Sequence, residues 1–274
     1  MIKIYTFAAN RPDFIGFQLK SLHKNLQEPF DYTVFNNARY DITGGADSTG
    51  IHRAGKEAGI RVIDVEKTYD LLARCQALEP GGPVLNNIGL YANANVAHAY
   101  ALCWAWENYI SKETGPIAIF DSDVFLIQPT KLTDLLVSHE MVNISDGKPR
   151  PLEPDRPILY MWPTFMLADL GKLPDKETLN WWCGRIEDVP VDVGGHTYDY
   201  FQAHPDLKVL NIRRLNSYYL DTSSCPVDPA NYDEFYLPDA VVLHYRSGSD
   251  WDHRGAEYHR KKTEWLKKRI EDGQ

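Results

Sequence analysis

Residues 116–120, PIAIF, form an apolar run without alternation that stops at Asp121-Ser122-Asp123 and resumes as Val124-Phe125-Leu126-Ile127. A half-exposed strand alternates apolar and polar residues, so a run apolar on both faces predicts a central strand covered by helices on either side. Its carboxyl end is where open α/β sheets bind their ligands, and the two acids emerge there.

The rest of the chain reads as strands and helices that can surround such a strand. Ile2 to Phe7 is a short apolar run with aromatic and β-branched residues, and Asn10-Arg11-Pro12 after it suits the start of a helix. That helix carries Ile15, Leu19, Leu22 and Leu26 at three- and four-residue spacing. Tyr32 to Phe35 and Arg61 to Val65 read as further strands, with a glycine-rich loop around Gly44, Gly45 and Gly50 and a short helix over 51–59 between them. A helix over 95–110 places Val96, Tyr100, Cys103 and Trp104 on one face, and Gly115-Pro116 closes it. No repeat or linker interrupts the pattern. The expectation is an α/β fold, a mostly parallel sheet flanked by helices, as one domain over 1–274.

Composition narrows the partners. A chain of 274 residues with 43% apolar residues can bury a substantial core, while a net charge of -9 argues against the basic face that nucleic acid requires. Cys75, Cys103, Cys183 and Cys225 contain no CxxC pair, so they read as reduced thiols rather than as a zinc or disulfide framework. The opening MIKIYTFAANRP has no signal-peptide or membrane-span pattern, and a cytoplasmic protein is the expectation.

Two acids at a strand end suit a hard cation. Magnesium and manganese prefer oxygen ligands and commonly bridge a carboxylate to substrate phosphates while keeping several waters. Asp121 and Asp123 supply two such donors on one turn, although a lone Asp-x-Asp is more often a solvated turn or helix cap.

Taken in order, the first strand ending near Asn10-Arg11, the helix with His98, the segment IFDSDVFL and the late segment VVLHYRSGSDW resemble the GT-A glycosyltransferases. The last segment is similar to the HxxGxxKPW-type ending of glycogenin-like sugar transferases. In that resemblance His244 matches the metal histidine and Trp251 the tryptophan. Gly248 is shifted by one residue and Ser249-Asp250 replaces the lysine and proline, so Arg246 is the substitute for the lysine that holds the diphosphate.

The resemblance implies a GT-A-like, Rossmann-type sheet and transfer of a sugar from a nucleotide-sugar donor, a UDP-sugar, with Mn2+ or Mg2+ as cofactor. Asp123 would ligate the metal directly, Asp121 would share metal and nucleotide, His244 would complete the metal set, and Asn10 and Arg11 would touch the nucleotide. Residues 1–130 would then be the nucleotide-sugar half, and 131–274 the acceptor half with the carboxyl-terminal diphosphate segment. Read without the family, Asn10 is a helix cap, Arg11 a surface charge and His244 a core histidine following AVVL.

The acceptor side is expected between Ile158 and Phe201. ILYMWPTFML reads as a buried strand pair or a strand broken at Pro163, and Trp181-Trp182 offers aromatic faces for a sugar or for the core. Asp192 with Gly194 and Gly195 resembles the Asp-x-Gly-Gly acceptor loops of GT-A enzymes, with Asp192 as catalytic carboxylate and the glycines admitting the substrate to the backbone. His196 and Asp199 are weaker candidates. A carboxylate base would mean inversion, whereas the glycogenin-like ending slightly favours retention. The acceptor class stays open among carbohydrate, lipid-linked and protein acceptors.

The basic tail, with Arg260, Lys261, Lys262, Lys267, Lys268 and Arg269 around Tyr258, Trp265 and Leu266, reads as a solvated helix that could make peripheral contact with an anionic membrane. Three rival functions share parts of this pattern. A sugar nucleotidyltransferase would need a glycine-rich phosphate loop after the first strand, and AANRPDF has no glycine. A catalytically silent carbohydrate-binding module would bind sugar without turning over a nucleotide. A phosphohydrolase would need clustered histidines, and His23, His52, His98, His139, His204, His253 and His259 are scattered along the chain.

Overall fold

A computed structural model describes residues 1–38, 48–66, 94–148, 155, 157–216, 233–236, 241–245 and 255–272. Arg246, Gly248, Ser249, Asp250 and Trp251, together with Cys75, Cys225 and His253, lie outside the described residues. Among the described residues, no helix is long and apolar enough to cross a membrane.

A seven-stranded sheet forms the centre, made of β1 (Ile2–Ala8), β2 (Phe30–Asn36), β3 (Arg61–Asp64), β4 (Pro116–Asp121), β6 (Met141–Lys148), β7 (Ile158–Asp169) and β10 (Val209–Asn211). Their spatial order is β10-β6-β7-β4-β1-β2-β3. β1 pairs parallel with β2 and β4, β2 with β3, and β10 with β6, while β7 runs antiparallel to both β4 and β6. The sheet is therefore mostly parallel, as the unalternating PIAIF run requires, and both halves of the chain contribute strands to it.

Alternation along the central strands sorts side chains into two layers. Tyr5, Phe7, Ile117 and Ile119 pack against α3 (Ala94–Asn108) on one face. Ile2, Ile4, Ala118 and Phe120 pack on the other with Ile15 and Leu22 of α1 (Pro12–Asn25) and Ile51 of α2 (Ser48–Ala58). α3 is buried on every side and not along one stripe, since Ala97, Ala101, Leu102, Ala105 and Trp106 are covered as fully as Tyr100 and Trp104. A helix apolar all round is a core helix.

β7 is one strand of twelve residues, and Pro163 does not break it. Its pairing with β6 slips from Asn143–Met166 to Ile144–Trp162, and Pro163 falls inside that bulge, where no ladder N–H is required of it on that side.

A second sheet joins β11 (Arg213–Asn216), β12 (Asp233–Tyr236), β13 (Val241–His244) and β5 (Val124–Leu126), all antiparallel, in the order β11-β12-β13-β5. A small hairpin is made by β8 (Gly184–Ile186) and β9 (Val189–Val191), followed by the short helix α4 (Thr197–Ala203).

The carboxyl-terminal helix α5 (Ala256–Asp272) differs from the freely solvated helix expected of its charge. Leu266 and Ile270 are buried with Phe14, Phe125 and Tyr245, so its apolar side is occupied by this chain's own core. Lys262 is fully buried and donates to the Tyr245 carbonyl, whereas Lys261, Lys267 and Lys268 remain exposed. The Phe14 ring meets Phe125 and Tyr245 edge-on at 5.7 and 5.0 Å, contacts worth about 0.5–1.5 kcal/mol each beyond their buried area.

Candidate metal centre

The turn Asp121-Ser122-Asp123 links β4 of the large sheet to β5 of the small one, so it is held where the two sheets meet. From beneath, α1 presents three buried polar side chains at helical spacing, Gln18, Ser21 and Asn25. Gln18 Nε2 donates to the carbonyls of Asp121 at 2.8 Å and Val124 at 2.7 Å, and its own Oε1 accepts from the Tyr32 hydroxyl at 2.6 Å. Ser21 Oγ and Asn25 Nδ2 both donate to the Leu126 carbonyl, at 2.9 and 2.7 Å. These residues satisfy carbonyls that the change of sheet leaves unpaired. Sequence reasoning missed them, because polar residues at helical spacing look like a solvent face; the detectable signal was the unpaired backbone that any strand leaving a sheet must present.

From the side, β13 pairs with β5 in a register that sets His244 opposite Val124, and the Tyr245 N–H donates to the Asp123 carbonyl at 2.9 Å. His244 Nε2 then lies 3.4 Å from Asp123 Oδ1, and the Trp162 ring stands edge-on to the imidazole at 5.4 Å. Asp121, Asp123 and His244 each offer a ligand atom within 4.8 Å of the others. A cation with bonds of about 2.1 Å bridges such a set after small side-chain movements.

Asp121 Oδ1 is buried without a hydrogen bond, which is the condition of an oxygen suited to a metal or another donor. Burial pushes its carboxyl above the ordinary carboxylate range; His98 opposes the rise, Asp123 adds to it, and His244 and Thr164 oppose it. Two carboxylates and an imidazole in this setting fit a hard or borderline divalent ion.

His98, counted among scattered histidines by sequence, is in fact at this site. Its Nε2 lies 3.2 Å from Asp121 Oδ1. Asn10 follows β1, whose Phe7 is in register with Asp121, so Asn10 emerges at the same carboxyl end of the central strands.

Arg11 is neither a surface charge nor a group extended toward a ligand. Its guanidinium is buried, donates to both oxygens of Asp13 at 2.9 and 2.7 Å and to Thr263 Oγ1 at 3.0 Å, and covers the Phe14 ring at 3.8 Å. It ties the start of α1 to α5.

The acceptor-side expectations divide. Trp181 and Trp182 are 0% and 1% exposed, and Trp181 packs edge-on against Trp106 at 5.4 Å, so no ring face is open to a sugar. Both belong to the core. Gly194 and Gly195 are likewise buried, and the room a side chain would need is already filled by protein. A Cβ on Gly194, which has φ +83°, would stand 2.0 Å from the Met161 carbonyl oxygen, and one on Gly195 would stand 2.2 Å from Val191 Cγ2. These glycines permit the chain to press against β7 and β9, which corrects the reading that they admit a substrate. Asp192 is half-buried; its N–H donates to the Tyr160 hydroxyl at 3.2 Å and its Oδ1 accepts from the Val193 N–H at 2.8 Å. His196 is buried, with Nδ1 3.5 Å from Asp199.

No family profile matches the chain, and no curated protein matches it. Among solved structures the chain is similar to a galactosyltransferase, LgtC, in complex with donor and acceptor sugar analogues, at 15% identity over 98% of this chain and 95% of that one, with a TM-score of 0.43. It is also similar to mouse xyloside xylosyltransferase 1 in its apo form, at 12% identity over 79% of this chain and 86% of that one, TM-score 0.40. A third likeness is to WbbM, a bifunctional glycosyltransferase, at 10% identity over 62% of this chain and 31% of that one, TM-score 0.35.

Proposed function

We propose that this protein is a metal-dependent glycosyltransferase of the GT-A type that moves a sugar from a nucleotide-sugar donor, a UDP-sugar, to a carbohydrate, lipid-linked or protein acceptor. The observation that carries the reading is the convergence of Asp121, Asp123 and His244 from segments about 120 residues apart onto the carboxyl end of a central parallel strand. A solvated turn would not bring a distant buried histidine to its acids.

Asp123 and His244 would hold a divalent Mn2+ or Mg2+, with Asp121 shared between metal and nucleotide. When bound, such an ion offsets the negative charge that develops on a departing nucleoside diphosphate. This chain's residues do the rest of the positioning. Gln18 fixes the backbone of the turn, Trp162 packs on the His244 ring, and Asn10, just past the carboxyl end of β1, would face the nucleotide. Arg246, one residue beyond Tyr245, would reach the diphosphate. Residues 1–130 would supply the donor half and 131–274 the acceptor half, with Asp192 orienting an acceptor hydroxyl and the glycogenin-like ending favouring retention of configuration.

A panel of sugar nucleotides with Mn2+, scored for release of nucleoside diphosphate, tests the class. One donor is expected to turn over, chelation should abolish it, and Asp123→Ala should lower it about a hundredfold or more. Sugar binding with no nucleotide turnover across the panel would favour the silent binding module instead. For Asp192, the Asp192→Asn variant should lower turnover about tenfold with donor affinity unchanged; a parallel fall in donor affinity would remove Asp192 from the acceptor side.

A further inference from the structure

The middle of helix α3 is otherwise apolar, and in that setting a partly buried histidine needs a reason, because a buried ring nitrogen without a partner is unfavourable. His98 is the polar exception on its inner face. Its ring lies against Phe7 with centroids 5.8 Å apart, and its Nε2 is directed at Asp121, 3.2 Å from Oδ1. The pairing follows from strand geometry. Ile117 and Ile119 face α3, so two residues further on Asp121 faces it too. Neither His98 Nε2 nor Asp121 Oδ1 makes a hydrogen bond, although both are buried and within reach of each other. The separation is already that of a hydrogen bond, and a small rotation of either side chain would align it.

We infer that His98 is a positioning residue for Asp121. Its Nε2–H donates to Oδ1 and turns the carboxylate's other oxygen toward Asp123 and His244. A carboxylate that gives one oxygen to a cation leaves the second needing a donor, and ligating carboxylates are as a rule hydrogen-bonded in this way. α3 therefore supplies the outer support of the metal centre from the face of the sheet opposite α1. The inference rests on the metal-site reading of Asp121, Asp123 and His244.

The test is Mn2+ uptake by the isolated chain without donor, followed by loss of the free-ion electron paramagnetic resonance signal. His98→Leu, which fills the space against Phe7, is expected to weaken Mn2+ binding about 10–100-fold. His98→Gln, which restores an N–H donor, should recover most of that loss. Binding within twofold of wild type in His98→Leu, or no recovery in His98→Gln, overturns the inference. A measurement on the unmodified protein guards against a variant that fails to fold: nitrogen-15 spectra of the metal-free chain should show the neutral His98 ring protonated on Nε2, and the opposite tautomer overturns the inference. The two readings separate cleanly. Wild-type uptake that is lost in Asp123→Ala but unmoved by His98→Leu removes only the role of His98, whereas wild-type protein that takes up no Mn2+, Mg2+ or Co2+ removes the metal site and this inference with it.

Discussion

Helices α1 and α3 cover opposite faces of the sheet and reach the same turn, yet they hold different parts of it. α1 uses a buried polar stripe, Gln18, Ser21 and Asn25, and each hydrogen bond these side chains donate to the turn and β5 goes to a backbone carbonyl. α3 is apolar on its inner surface apart from His98, and brings that single imidazole to a single carboxylate. Backbone support sets where the turn lies, and so it belongs to the stability of the fold. Side-chain support sets where an oxygen points, and so it belongs to the site. The two kinds of contact should separate in experiment.

The largest effect should come from removing what both helices support. Asp123→Ala and His244→Ala are each expected to lose roughly 2–4 kcal/mol of transition-state stabilisation, a hundredfold or more in turnover. The double variant should fall far short of the sum, because either loss already disables a shared ion. Additive losses would mean that the two residues serve different ends.

Breaking the α1 side comes next. Gln18→Leu leaves the Asp121 and Val124 carbonyls and the Tyr32 hydroxyl without their partner, so unfolding in urea should show a loss of roughly 1–3 kcal/mol. If stability is unchanged while metal uptake collapses, the division between backbone and side-chain support is wrong.

The smallest effect sharpens the α3 side. The buried Asp121 carboxyl titrates above its ordinary range, chiefly through burial, so its stabilising contribution is complete below the unfolded value and is lost as pH rises through the folded one. Once ionised, the group destabilises the metal-free protein. Asp121→Asn should therefore raise the metal-free Tm by about 2 °C at pH 7, with the gain shrinking as the pH falls toward 4. A Tm lowered by this substitution at pH 7 would show that the carboxylate is well compensated without metal.

How far the molecule was legible in sequence follows the same division. Apolar periodicity located β1, α1, β2, α2, β3, α3 and β4 to within a few residues, since burial dictates those patterns directly. The Asp121, Asp123 and His244 set was legible because its chemistry is concentrated in short segments. What stayed hidden depends on who packs against whom. Gln18, Ser21 and Asn25 look like a wet helix face, and His98 like one of many histidines. Trp181 and Trp182 present the same residue type whether they stack on a sugar or on Trp106. Gly194 and Gly195 signal close approach in either case, but only the fold reveals that the approaching atoms are Met161 and Val191. Arg11 reads as a nucleotide contact until Asp13, Thr263 and Phe14 are seen around it.

The register between β5 and β13 has a consequence in time as well as in space. His244 reaches Asp123 only after the chain has closed a loop of about 120 residues, an event whose entropic cost is on the order of 4 kcal/mol before any reward. A nascent or truncated chain that ends before β13 can form the strand and expose both acids, yet it lacks the imidazole. On the proposed metal-site reading, ion affinity would be a readout of completed topology. An ion that binds only the finished arrangement also draws the folding equilibrium toward it, by an amount set by its concentration relative to its Kd.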